Sequence, residues 1–131
     1  MIYLDSSALL KVIFEEPESA ALEVWLSSRG SVPKVSSELA KVEVLRASRR
    51  MAPDTVPAAV TMLSQLDLVP LSAGVVEHAA YLGETSLRGL DAFHLASAVT
   101  LGSDLTAFIA YDHRLSAAAS DLGLEVLQPG A

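Results

Sequence analysis

Ile2-Tyr3-Leu4-Asp5-Ser6-Ser7 and, a hundred residues on, Ala107-Phe108-Ile109-Ala110-Tyr111-Asp112-His113 share one pattern. In each, a short unbroken apolar run reaches an aspartate and a helical pattern follows. A strand with one face in water alternates apolar and polar residues; these runs do not, so both of their faces are covered. Inner strands covered on both sides and followed by helices predict an α/β fold, a parallel sheet sandwiched by helices.

The pattern repeats outward from these two strands. Ser6 and Ser7 can cap a helix running to Phe14, and Pro17 starts a second helical pattern closed near Gly30. Val32 to Val35 reads as a strand, with Ser36 or Ser37 capping a helix to about Met51 that Pro53 stops. A helix from Asp54 to Leu66, a strand at Leu68-Val69-Pro70-Leu71 and a helix through Val75, Val76, Ala79 and Leu82 come next. Gly89 precedes an apolar helix from Asp91 to Leu101; after the Ala107 strand, a helix from His113 to Leu122 leads through Gly123 to a strand at Leu124 to Leu127.

The 131 residues, 51% of them apolar, suit a single domain with a sizeable core, spanning 1–127 with a short tail at 128–131. No segment repeats. The absence of cysteine excludes disulfides and thiolate zinc sites. Asp5 and Lys11 interrupt the first apolar residues, so these resemble neither a secretory leader nor a membrane span of about 20 apolar residues. The expectation is a cytoplasmic protein with no membrane contact.

A net charge of −7 argues against a general nucleic-acid binder, because such binding rests on cations meeting phosphates. The charge is uneven, however. Lys34, Lys41, Arg46, Arg49 and Arg50 share one short segment with only Glu38 and Glu43. This is either a solvated helix face or, beside an acidic cleft, a place where Arg46 and its neighbours hold an RNA backbone.

In open α/β sheets ligands bind beyond the carboxyl ends of the strands, where Asp5 and Asp112 stand. Each, taken alone, is equally an ordinary helix N-cap. Asp91 falls on the apolar arc of its helix with Ala92, Leu95, Ala98 and Val99, unless it too is a cap following Gly89. Glu43 falls between Leu39 and Ala47 on the arc that also holds Ala40, Val44 and Met51. Its alternative role is a surface pair with Arg46, worth only ~0.2–0.5 kcal/mol. A carboxylate on a core-facing arc is costly unless compensated, and a bound cation is one compensation. Four carboxylates with neither cysteine nor a histidine pair make an oxygen-only set suited to Mg²⁺ or Mn²⁺, and such ions suit phosphoryl chemistry.

The remaining polar residues carry competing readings. His94, beside the core helix, reads as structural rather than as a general base. His78 and His113 read as solvent-facing. Ser6 caps its helix or bonds a water of the metal; Arg114 is a surface residue or an RNA contact; Trp25 packs in the core or an interface.

Met1-Ile2-Tyr3-Leu4-Asp5-Ser6-Ser7-Ala8-Leu9, the stretch Ser36 to Ala47 carrying Glu43, Leu90-Asp91-Ala92-Phe93-His94-Leu95-Ala96-Ser97-Ala98 and Tyr111-Asp112-His113-Arg114-Leu115 together resemble a PIN domain. More narrowly they are similar to the toxin ribonucleases of VapBC-type toxin–antitoxin modules, over Met1 to about Leu127. The resemblance implies a Mg²⁺- or Mn²⁺-dependent endoribonuclease. It places the metal on Asp5 and Asp91, has Asp112 complete the site, and has Glu43 hold or activate the attacking water. It further implies an RNA substrate and a cognate antitoxin; Ser6, Arg46 and Arg114 are the expected RNA contacts, and a homodimer is the expected assembly. The helices at Pro17–Ser28 and Asp54–Leu66 are the expected docking faces. The alternative is a catalytically silent PIN-like module that binds RNA or protein. Phosphoryl transfer through an aspartyl intermediate does not fit, because Ser7 stands where a second acid would be needed.

Overall fold

The computed structural model describes all 131 residues. Its centre is a five-stranded sheet in which every adjacent pair is parallel, β1 (Ile2–Leu4), β2 (Lys34–Ser37), β3 (Asp67–Val69), β4 (Ala107–Ile109) and β5 (Val126–Leu127), in spatial order β3-β2-β1-β4-β5. The seven helices are α1 (Ser6–Ile13), α2 (Ser19–Ser27), α3 (Glu38–Met51), α4 (Val56–Ser64), α5 (Ala73–Tyr81), α6 (Gly89–Val99) and α7 (His113–Asp121).

Alternating side-chain direction along the strands divides the core in two. Ile2, Leu4, Ala107 and Ile109 face a layer containing Ala8 and Leu9 of α1, Leu22 of α2, Ala40 and Val44 of α3, and Ala59 and Leu63 of α4. Tyr3, Val35 and Phe108 face the opposite layer, with Leu95 and Ala98 of α6 and Leu115 and Ala119 of α7. The rings of Tyr3 and Phe108, paired in register on β1 and β4, stack at 5.3 Å between centroids. The covered strands are the reason β1 and β4 show no alternation.

Several boundaries differ from the expectation for local reasons. Asp5, not Ser6 or Ser7, caps α1, accepting from the Ala8 amide at 2.9 Å. The second helix begins at Ser19 rather than Pro17, because the Ser19 hydroxyl accepts from the Glu16 amide and donates to the Phe14 carbonyl, holding a turn there. β2 runs to Ser37, later than Val35. Its Ser36 is fully buried, and the hydroxyl donates to the Leu4 carbonyl at 2.6 Å, so a polar residue belongs inside the strand. Pro53–Thr55 forms a 3₁₀ turn ahead of α4. Gly89 opens α6 instead of preceding it. Beyond β5, Gln128 and Pro129 are tied back: Gln128 Nε2 donates to the Ala110 carbonyl and the Tyr111 hydroxyl to the Pro129 carbonyl.

The order β3-β2-β1-β4-β5 has a further consequence. The chain leaves β1 toward β2 and β3, then returns to place β4 and β5 on its other side. The switch point lies between β1 and β4, and a crevice at such a point is where open α/β sheets bind ligands.

Candidate active site

Asp5 follows β1 and Asp112 follows β4, so the two flank the switch point. Both are also helix caps. Asp5 Oδ1 accepts from the Ala8 amide and, at 2.6 Å, from the Ser7 hydroxyl; Asp112 Oδ1 accepts from the Leu115 amide at 2.9 Å. Capping and a site role do not compete here, because in each carboxylate only Oδ1 is used by the cap.

Asp91 is 7% exposed, in the first turn of α6. The N-cap position belongs to Arg88, which supplies no side-chain cap. Instead Arg88 Nε donates to Asp91 Oδ2 at 3.0 Å, and its Nη2 lies 4.0 Å from Asp112 Oδ2. One guanidinium thus spans two carboxylates from different helices. Arg88 went unrecognised in the sequence, where a single arginine before a glycine in a polar loop carries no periodic signal.

Glu43, half-buried on α3, pairs with His94 rather than with Arg46. His94 Nε2 is 2.9 Å from Glu43 Oε1, and the Ser6 hydroxyl donates to the same oxygen at 2.6 Å. Ser6 therefore serves the site and not the helix cap. On its other side, His94 Nδ1 lies 2.7 Å from the Tyr3 hydroxyl. An ionised carboxylate only accepts, so Nε2 carries a proton and donates to Glu43 Oε1. His94 is 2% exposed, a core residue that also bonds Glu43.

The protonation tendencies follow from these contacts. Burial pushes the Asp5 carboxyl up to about 6; His94, Ser7 and Ala8 pull it down, while the nearby Asp91 adds to the rise. Burial also acts to raise Glu43, but the bonds from His94 and Ser6 and the charge of Arg88 outweigh it and hold Glu43 below the usual carboxylate range. Tyr3 is pushed well up by burial, with Asp5 and Glu43 reinforcing it, so it stays a donor. The Ser6–Glu43–His94 hydrogen bonds and the contacts of Arg88 with Asp91 and Asp112 bring four separated segments of the chain together.

No group of three or more His, Asp or Glu side chains stands in a ready metal-holding arrangement, and Arg88 contacts both Asp91 and Asp112. The donor chemistry nevertheless fits a hard cation. The acids of the network offer oxygen and no sulfur, and buried Asp5 accepts only from Ser7 and Ala8, with no ion-pair partner.

Arg46 and Arg114 lie outside this cluster. Arg46, Arg49 and Arg50 line a depression of about 350 Å³ on α3 and form no ion pair. Arg114 lies on a groove of about 580 Å³ between α7 and the Gly83–Leu87 segment, two residues from Asp112. His78 and His113 are exposed, and Trp25 packs partly buried against the first core layer. No helix is long and apolar enough to cross a membrane.

Comparison with known proteins identifies the family and the fold. The family described as PIN domain matches residues 2–121. The chain is 45% identical over 132 residues to Ribonuclease VapC35 of Mycobacterium tuberculosis, covering 99% of this chain and 98% of that protein. Among solved structures it is similar in fold to M. tuberculosis VapC20, described as a sarcin–ricin-loop-cleaving toxin, with TM-score 0.77, 17% identity and coverage of 98% and 100%. It is likewise similar to VapBC2 of Rickettsia felis bound to a DNA fragment from its promoter, with TM-score 0.74, 13% identity and coverage of 98% and 99%.

Proposed function

The chain belongs to the PIN-domain family, and from its acidic crevice we propose that it is a VapC-type toxin, an endoribonuclease that hydrolyses RNA phosphodiester bonds with Mg²⁺ or Mn²⁺. The observation that carries this reading is that Asp5 and Asp112 flank the sheet's switch point while Glu43 is bonded to Ser6 beside Asp5 and Asp91 shares Arg88 with Asp112.

Asp5, Asp91 and Asp112 would hold the ion, which when bound supplies Lewis-acid polarisation of the phosphoryl group and lowers the pKa of water. Glu43 has one oxygen pinned by Ser6 and His94, while Oε2 has no protein partner. It is thus placed to orient an attacking water by accepting its hydrogen. The low pKa of Glu43 keeps it ionised for that task. His94, anchored by Tyr3, is a positioning residue: it sets where Glu43 Oε1 lies.

RNA binding in a chain of net charge −7 falls to local cations. Arg50 stands seven residues along α3 from Glu43, about 10 Å at the helical rise, and Arg46 lies between them on nearly the same stripe. This unpaired row would hold the backbone on one side of the cleavage point, with Arg114 on the other side.

The VapC likeness and the VapBC neighbour also support an antitoxin partner. Val24 on α2 and Val60 on α4, 71% and 52% exposed, offer it apolar docking points, or offer them to a second copy of the chain. One observation favours the silent binding module: Arg88 already neutralises two of the four acids. Incubating purified protein with tRNA, rRNA and mRNA plus Mn²⁺ or Mg²⁺ separates the readings. Metal-dependent cleavage that disappears in Asp91→Asn is expected; binding of RNA without any cut across the panel selects the module.

A further inference from the structure

Arg88 is the unexpected member of the crevice. Its side chain is 67% exposed, whereas the carboxylate it bonds is 10% exposed. It sits at the N-cap of α6, outside the regular helix, and spends no hydrogen bond on capping. The contact to Asp91 is short and that to Asp112 is at the limit of ion pairing. Such a pair is weak because its cation remains in water. It lies, however, on two of the three carboxylates proposed to hold the divalent ion.

We propose that Arg88 is an exchangeable internal counter-ion: it neutralises Asp91 and Asp112 in the metal-free protein, is displaced by the divalent cation, and then pairs with a phosphate of the bound RNA. The inference rests on the proposed function, its displacement step on the divalent-ion site and its final step on RNA cleavage.

Three features support the exchange. First, two acids and a guanidinium meet at one point, and a divalent ion contributes two charges where the guanidinium contributes one. Second, the exposed side chain moves aside without opening the core. Third, displacement leaves an unpaired guanidinium at the mouth of the crevice, where its planar donor fork suits phosphate oxygens.

The test uses the whole chain and two variants, Arg88→Gln and Arg88→Lys. Mn²⁺ affinity is measured by titration calorimetry on RNA-free protein, and kcat/KM on a single-stranded RNA is measured at saturating Mn²⁺. Removing a partly exposed competing charge should tighten Mn²⁺ binding roughly three- to tenfold in Arg88→Gln. The same variant should lose about tenfold or more in kcat/KM, because a charge-assisted phosphate contact is gone. Arg88→Lys should fall between on both measures. A purely structural arginine cannot produce tighter metal binding together with slower cleavage. Unchanged or weaker Mn²⁺ binding in Arg88→Gln overturns the counter-ion role. Tighter binding with undiminished kcat/KM overturns the transfer to phosphate. If the wild type cuts no RNA, the nuclease reading and the transfer step fall together, while the Mn²⁺ titration still decides the counter-ion role.

Discussion

His94 Nε2 lies 2.9 Å from Glu43 Oε1, so a buried residue of α6 fixes the orientation of a carboxylate on α3, which packs on the opposite face of the sheet. Helices on the two faces meet only beyond the strand ends, and this bond is one place where they do. It ties the fold to the proposed chemistry: whatever loosens His94 loosens Glu43.

His94→Ala should therefore lower kcat about 10- to 100-fold, the usual cost of losing a group that orients a reacting one. It should also destabilise the protein by about 1–3 kcal/mol, because the buried Tyr3 hydroxyl loses its partner. Tyr3→Phe keeps the stacking on Phe108 and should cost about 1 kcal/mol, with a smaller loss in rate. Urea unfolding and single-turnover cleavage measure the two effects separately. Equal rates for wild type and His94→Ala would remove the positioning role.

Asp5 makes stability depend on pH. Its folded pKa is raised from 3.8 to about 6, so the fold favours the protonated form. The stability it contributes is complete below about pH 4 and is lost as pH rises through about 6, a change of about 3 kcal/mol by pH 8. The metal-free wild type should unfold at lower urea at pH 8 than this group would allow at pH 4. Asp5→Asn, which retains an oxygen to accept from Ala8, should flatten that dependence and be the more stable protein in EDTA at pH 8. Mn²⁺ should stabilise the wild type strongly at pH 8 and weakly at pH 5. Urea midpoints across pH with EDTA or Mn²⁺ check all three.

The arginine row should appear in the salt dependence of RNA binding. In a cleavage-deficient Asp5→Asn background, each phosphate contact to single-stranded RNA contributes about 0.7 to the slope of log affinity against log salt. Arg46→Gln with Arg50→Gln should thus reduce the slope by about 1.4. An unchanged slope, by fluorescence anisotropy, would return these arginines to an ordinary solvated face.

Val24→Asp and Val60→Asp address the apolar surface. Both side chains are more than half exposed, so each variant should unfold within about 0.5 kcal/mol of the wild type. If α2 and α4 receive the proposed antitoxin, its complex with the chain should weaken about tenfold or more in titration calorimetry. Undiminished affinity in both would move the docking site elsewhere.

The amino-acid sequence determined the architecture because burial on both faces leaves a local mark. Ile2 to Leu4 and Ala107 to Ile109 are uniformly apolar, and the helices between them carry a 3.6-residue period, which together specify a parallel α/β sheet. It also exposed Asp91 and Glu43, since an acid on a core-facing arc breaks a pattern that a reader can see. Boundaries were less legible where a side-chain hydrogen bond overrode hydropathy, as at Ser19 and at buried Ser36. What only the tertiary structure decided was pairing. The strand order that flanks the switch point with Asp5 and Asp112, the choice of His94 rather than Arg46 as partner for Glu43, and the reach of Arg88 across Asp91 and Asp112 all join residues far apart in the chain. Hydropathy and periodicity report the environment of one residue at a time, whereas an ion pair depends on where two segments come to rest.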